Sequence, residues 1–401
     1  MSEDVASCVE VVEYSPERAA DLLKVRNAIF PPLTLDQWLE TTASFTGPIA
    51  YLGSEPVGAI PMDVREFQVA PGKIVRVAQE NAVGVREDLR SRGIGSKMIE
   101  AAADFLAGRC EMLTVYRGAE RTRGYKFYER TGHADLVYLR ALTWEQPSGE
   151  VRDVAIGGID QIDAEQDELL RVFSIAYGDY GGFPPRQQGY WARQLRSHIY
   201  VVLPHEFILL RYPAEGPMQG YLIAGWRSGD QWQPAKIEIL EFVALNDNAA
   251  SHLLLALGAH AEKAGRGIQV FAGWEHPLLF VLRRFGFVEG ERYFMLMGRP
   301  IAPQRLLEKA AATLEPLAEL AIDVWTPTTD YTLYAGPNAK RRITLEAKDW
   351  VIARLLSRRL DVVSAVEHDL LSIRNGLRRD VLALADALPY TKWVYHGIDY
   401  I

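Results

Sequence analysis

The sequence predicts an α/β and α+β chain: two successive copies of one mixed-sheet α/β unit, then a smaller α+β unit. Three observations carry this. Residues 83–106 read as a strand, a glycine turn and an amphipathic helix in that order. A similar succession returns after the polar, breaker-rich linker Glu145-Gln146-Pro147-Ser148-Gly149-Glu150. From about Pro303 the pattern changes to short alternating strands and helices. With 401 residues, 48% of them hydrophobic, the chain can build a separate core in each of two or three domains. The expected divisions are 1–146, 147–302 and 303–401.

In the first unit, Val9-Glu10-Val11-Val12 reads as a strand and Ala19 to Phe30 as a helix. Paired strands follow near Ile49-Ala50-Tyr51-Leu52 and Val57-Gly58-Ala59-Ile60, and one long strand is expected from Lys73 to Val85. The helix after the glycine turn shows Met98, Ala102, Phe105 and Leu106 at one-face spacing, with Gly108 placed as its C-cap. Met112-Leu113-Thr114-Val115-Tyr116 makes the next strand. Alternation of this kind is a mixed α/β layer.

The second unit repeats it with a helix from Ala164 to Tyr177 and strands at Ile199–Val202, Phe207–Arg211, Gly220–Trp226 and Lys236–Leu245. A helix from Ala249 to Lys263, a strand at Ile268–Phe271 and the segment Leu282 to Phe287 complete it. Aligned on Gly286 and Gly132, this copy has Leu282 in place of Tyr128, and its corner Asn246-Asp247-Asn248 lacks the arginine and both glycines. It has the pattern without the chemistry. In the third unit, strands at Ile322–Trp325, Tyr331–Tyr334 and Ile343–Glu346 make a three-strand sheet backed by helices at Trp350–Leu360 and Ile373–Leu388. Arg341-Arg342 and Arg358-Arg359 read as solvated turn and helix positions.

The chemistry concentrates in two segments. In Val83-Gly84-Val85 followed by Arg90-Ser91-Arg92-Gly93-Ile94-Gly95-Ser96, glycines let the backbone approach a ligand, and free amides at a helix N-terminus attract pyrophosphate. The second segment is Gly124-Tyr125-Lys126-Phe127-Tyr128-Glu129-Arg130-Thr131-Gly132-His133. A dinucleotide fold does not fit, since the third spaced glycine and the acidic residue of a second strand are missing.

Together the two segments closely resemble the coenzyme A site of the GNAT superfamily of N-acyltransferases. The order of three units, two of them GNAT-like and the last similar to sterol carrier protein, resembles the Eis-like (enhanced intracellular survival) acetyltransferases. The resemblance implies acetyl-CoA as co-substrate, held at Val83 to Val85 and Arg90 to Ser96, and a homo-oligomer of hexameric size. It implies Tyr128 as general acid, returning a proton to the departing thiolate. Proteins of that type usually have tyrosine after the glycine that aligns with Gly132, whereas this chain has His133. His133 is either an acid or base near neutral pH or a replacement for a structural aromatic. The resemblance also implies that the Ile401 α-carboxylate accepts the amine's proton, with Glu80 and Glu129 as alternatives inside the domain.

Composition bounds the partners. A net charge of −8 argues against general nucleic-acid binding and favours cationic amines such as polyamines, aminoglycosides or lysine side chains. Cys8 and Cys110 make no disulfide framework, and the eight histidines show no metal-ligand spacing. The first residues lack the basic and apolar regions of a secretory signal, and no run is apolar enough to span a membrane, so a cytoplasmic protein without metal is expected. The alternative reading is a carrier or regulatory protein with an apolar ligand in the third unit.

Overall fold

The structure is a computed structural model that describes residues 6–42, 44–118, 123–197, 206–226 and 236–400. Strand β1 (Val9–Glu13) leads through helices α1 (Ala19–Asn27) and α2 (Leu35–Thr41) to β2 (Phe45–Thr46), β3 (Pro48–Leu52) and β4 (Glu55–Ala59). Thr34 starts α2 with a reciprocal cap, its hydroxyl accepting from Gln37 N–H while its own N–H reaches the Gln37 side chain. The antiparallel pair β5 (Met62–Ala70) and β6 (Lys73–Glu80) follows, then β7 (Gly84–Val85), α3 (Ile94–Leu106), β8 (Met112–Gly118) and α4 (Arg123–Arg130). The single strand expected from Lys73 to Val85 is broken. Asn81 N–H bonds Pro61 O, Ala82 takes a left-handed φ of 46°, and β7 joins β4 in a different sheet from β6. Met98, Ala102 and Leu106 are the buried face of α3, as their spacing requires. Gly108 is not its cap: the helix closes at right-handed Ala107, and Cys110 N–H bonds back to Leu106 O.

The second stretch holds β9 (Ala134–Trp144), β10 (Ala155–Gly157), α5 (Ile159–Ala164), α6 (Gln166–Tyr177), α7 (Tyr190–Leu195), β11 (Glu206–Tyr212), β12 (Gly220–Trp226) and β13 (Ile237–Ala244). After these come α8 (Asp247–Ala264), β14 (Ile268–Ala272), α9 (Leu279–Arg284) and β15 (Val288–Pro300). The strand expected at Ile199–Val202 lies outside the described residues. Strand order here is β10-β11-β12-β13-β14-β9, antiparallel except for β13 with β14. That parallel pair, joined by a helix, has the same form as β6-α3-β8.

In the third stretch, α10 (Pro303–Ala310) precedes β16 (Leu320–Trp325), β17 (Asp330–Ala335), β18 (Arg341–Ala347), α11 (Asp349–Leu356), α12 (Val362–Glu367), β19 (Leu371–Arg374) and α13 (Arg378–Ala387). The sheet has four strands, in the order β17-β16-β18-β19. Ile373 is therefore in a strand, and its helix begins only at Arg378. The expected helix at Trp350–Leu360 also breaks, because Arg358 adopts a φ of 59°. Arg358 and Arg359 are not solvated: each is 7% exposed. Their guanidinium groups donate to backbone carbonyls, Arg358 to Pro389 and Arg359 to Leu136 and Thr391.

The chain divides into two compact units, 1–136 with 295–392 and 137–294 with 393–401. These cut the sequence differently from the divisions 1–146, 147–302 and 303–401. Within the first unit, Glu111 holds Arg305 and Lys309 of α10, and Arg359 holds Leu136 O, so the small sheet up to Lys392 packs as part of it. Among the described residues no helix is long and apolar enough to cross a membrane.

The second unit buries two histidines. Burial pulls His276 down to about 4, and Leu278 N–H donates to its Nδ1, an arrangement that suits the neutral ring. Burial also holds His396 well below the ordinary histidine range. Unfolded histidine titrates near ~6.5, so between that pH and about 4 the unfolded chain binds protons that the native His276 does not. The stability that neutral His276 contributes is present above pH ~6.5 and lost as pH falls through that window. Urea unfolding should show His276→Gln less acid-sensitive than the parent, by up to ~1.4 kcal/mol per pH unit; equal slopes would refute a neutral buried His276.

Candidate active site

The site begins where two parallel strands separate. β6 and β8 pair from Val77↔Met112 to Glu80↔Val115, after which β8 continues to Gly118 without β6. β7 has moved to β4, with Gly58 opposite Val85 and Ala59 opposite Gly84, and Arg86 N–H bonds Val57 O at 2.8 Å. Amides alternate in direction along an antiparallel strand, so the Val85 N–H faces away from β4, towards the gap. Its carbonyl, on the same side, accepts Arg90 Nε at 3.1 Å.

Beside the gap lies the glycine turn that opens α3. Gly93 precedes α3 with φ 83°, and Ser91 is also left-handed at 65°. No side chain caps this helix, so its first-turn amides are left to a ligand or water. Gly95 makes room for a neighbour, since a Cβ there would stand 2.9 Å from the Phe127 ring of α4. Arg90, Ser91, Arg92 and Ser96 are exposed, whereas Ile94 is buried and fixes the helix to the sheet.

Tyr128 packs against Val115 at the end of the β6–β8 pairing and against Val83 in the link to β7. Its ring meets His133 edge-on at 5.1 Å, and the Arg117 guanidinium lies 5.8 Å from its centroid. The run from Tyr128 to His133 has a definite local cause. Gly132, at φ 81°, closes α4: its N–H bonds Glu129 O, and His133 N–H reaches back to Tyr128 O. That turn sends His133 inward. Its Nε2 lies 2.9 Å from Glu80 Oε1 and its Nδ1 3.2 Å from Thr131 Oγ1, and neither the His133 nor the Glu80 side chain is exposed. Glu80 Oε2 is buried without a hydrogen-bond partner, a costly arrangement that functional sites retain.

The residues expected to bind coenzyme A, Val83 to Val85 and Arg90 to Ser96, thus line one corner, with Tyr128 and His133 packed together next to it. Glu129 is exposed on α4. Ile401 lies outside the described residues. Two features were not legible: the Glu80–His133 pair, formed across 53 positions, and Arg117. Gly124 is the one trace of Arg117, since a Cβ there would stand 3.1 Å from its Nη1. Among the described residues no three His, Cys, Asp or Glu side chains are grouped to hold a metal ion.

Residues 14–133, which contain the strands, the glycine turn and Tyr128, match the acetyltransferase (GNAT) family. The first α/β domain is a GNAT acetyltransferase domain, and the protein is an acetyl-CoA-dependent N-acyltransferase. No curated protein matches the chain in sequence. Among solved structures, it is similar to a probable N-acyltransferase from Enterococcus faecalis, with a TM-score of 0.72 and 13% identity over 98% of this chain and 100% of that one. It is likewise similar to a GCN5-related N-acetyltransferase from Anabaena variabilis (0.70, 13%, 98% and 100%). Eis1 from Mycobacterium abscessus gives 0.61 and 14%, with the same coverage. At such identities the likeness establishes the shared fold.

A β-branched side chain at Gly93 cannot adopt φ 83° without strain of ~1–3 kcal/mol. Gly93→Val should weaken acetyl-CoA binding by roughly tenfold or more in calorimetric titration. Unchanged affinity in the folded variant would remove this loop from the binding site.

Proposed function

We propose that the protein transfers the acetyl group of acetyl-CoA to a primary amine of a cationic acceptor, an aminoglycoside, a polyamine or a lysine side chain, by direct attack on the thioester. The observation that carries this reading is the parting of β6 and β8 beside Tyr128, with a backbone amide facing the gap. The net charge of −8 favours a cationic acceptor.

In this reading the amine nitrogen attacks the carbonyl carbon, and the Val85 N–H stabilises the oxyanion that forms. As the C–S bond breaks, the Tyr128 phenol gives its proton to the thiolate, and the Arg117 charge over the ring favours the resulting phenolate. Glu80 Oε2 takes the proton that the amine releases. His133 holds the other oxygen of Glu80 and is a positioning residue. Glu80 stands at the last β6–β8 pair, whereas Glu129 is on the exposed side of α4.

Thiol release followed over a panel of polyamines, aminoglycosides and lysine peptides tests the acceptor class, and silence across it would end the proposal. Tyr128→Phe should lower kcat by on the order of a hundredfold while acetyl-CoA affinity changes little. Glu80→Gln should lower kcat to a similar extent and alter the pH profile; normal turnover in either variant would remove that residue from its role.

A further inference from the structure

The second copy has its own parting of parallel strands, and the chain itself fills it. β13 and β14 pair only at Ile237↔Ile268 and Glu238↔Gln269, although β13 runs on to Ala244. Just beyond, β13 bulges against β12 around Leu240. Gly397 rests there, so closely that a Cβ would stand 3.2 Å from Leu240 Cα and 3.4 Å from the Ile239 and Leu240 carbonyl oxygens. On the other wall, Trp393 N–H donates to Glu275, three residues past β14, and Val394 N–H donates to Gly181 O at 2.9 Å. Gly182 is held at φ 94° with its Cβ position 2.7 Å from Trp393 Cβ, so only glycine lets Trp393 enter.

The segment is seated like a bound peptide. Trp393, Val394, Ile398 and Asp399 are 1% exposed or less. Asp399 Oδ1 accepts from Arg186 Nη1 at 2.8 Å and from the Tyr190 hydroxyl at 2.5 Å. Arg186, itself fully enclosed, lies 4.4 Å from the Tyr190 ring centroid and 4.6 Å from that of Phe173. It also pairs with Glu241, which takes further hydrogen bonds from Trp191 and Tyr221. Where the first copy has an uncapped helix, the second has Asn246 capping α8 through Ala249 N–H. Both halves of a carrier site are thereby taken.

We propose that the second copy is a peptide-binding cleft whose ligand is the chain's own segment 393–400, seated where a GNAT domain would hold the arm of its acyl carrier, so that each chain takes one acetyl-CoA. The peptide half of this is independent of the catalytic assignments above, since it involves only residues of the second unit.

Lys392 is exposed, so a protease site inserted after it in the full chain can be cut without touching the cleft. The cut segment should co-elute with the protein in gel filtration at micromolar concentration. A labelled synthetic peptide 393–401 should exchange into the cut protein, and the same peptide carrying Asp399→Asn should bind at least tenfold more weakly; because the protein is unaltered, misfolding cannot produce that difference. Calorimetry on the uncut chain should give one acetyl-CoA. Release of the segment on cutting, equal binding of the two peptides, or two acetyl-CoA per chain would each overturn the proposal.

Discussion

The parting of β6 from β8 at Glu80 and Val115 is the constraint on which the acyltransferase site depends. Parallel strands that stayed paired would commit to each other the amides that face across the ladder. Here the chain leaves the ladder through a left-handed Ala82 and re-enters a different sheet as β7, which frees the Val85 amide and leads directly into the glycine turn before α3. Strand, turn and helix are consecutive, so the Val85 amide and the uncapped start of α3 are fixed relative to each other by a short run of backbone.

The same framework, used twice, has been completed in two chemically different ways. In the first copy the buried polar group near the gap is a Glu80–His133 pair with one carboxylate oxygen left over. In the second, Arg186 lies between Glu241 and Asp399, and those carboxylates also accept from Trp191, Tyr221 and Tyr190. Burying such charges is strongly unfavourable unless they are paired. The second cluster sets one guanidinium between two carboxylates within its own unit, whereas the first pairs a carboxylate with a histidine.

Glycine is the residue through which much of this was readable. Gly93 and Gly132 were visible as parts of motifs, and both take left-handed conformations that close a loop or a helix. Gly182 has an equally strict steric reason but no motif, because the neighbour that requires it, Trp393, is distant in sequence.

The sequence by itself determined the mixed α/β class, the glycine turn that opens α3, the placement of Tyr128 on a helix, and the loss of the motif in the second copy. Each is local: a glycine, a helical period or a polar corner acts within one or two turns of chain. Only the tertiary structure decided that Lys73 to Val85 is two strands in two sheets, that Ile373 belongs to a strand, and that Arg358 and Arg359 are buried against carbonyls. It also decided that Glu80 meets His133 and that Asp399 meets Arg186. The reason is common to all five: a neighbouring strand, a carbonyl or an opposite charge from far along the chain supplies the free energy, and no local propensity encodes it.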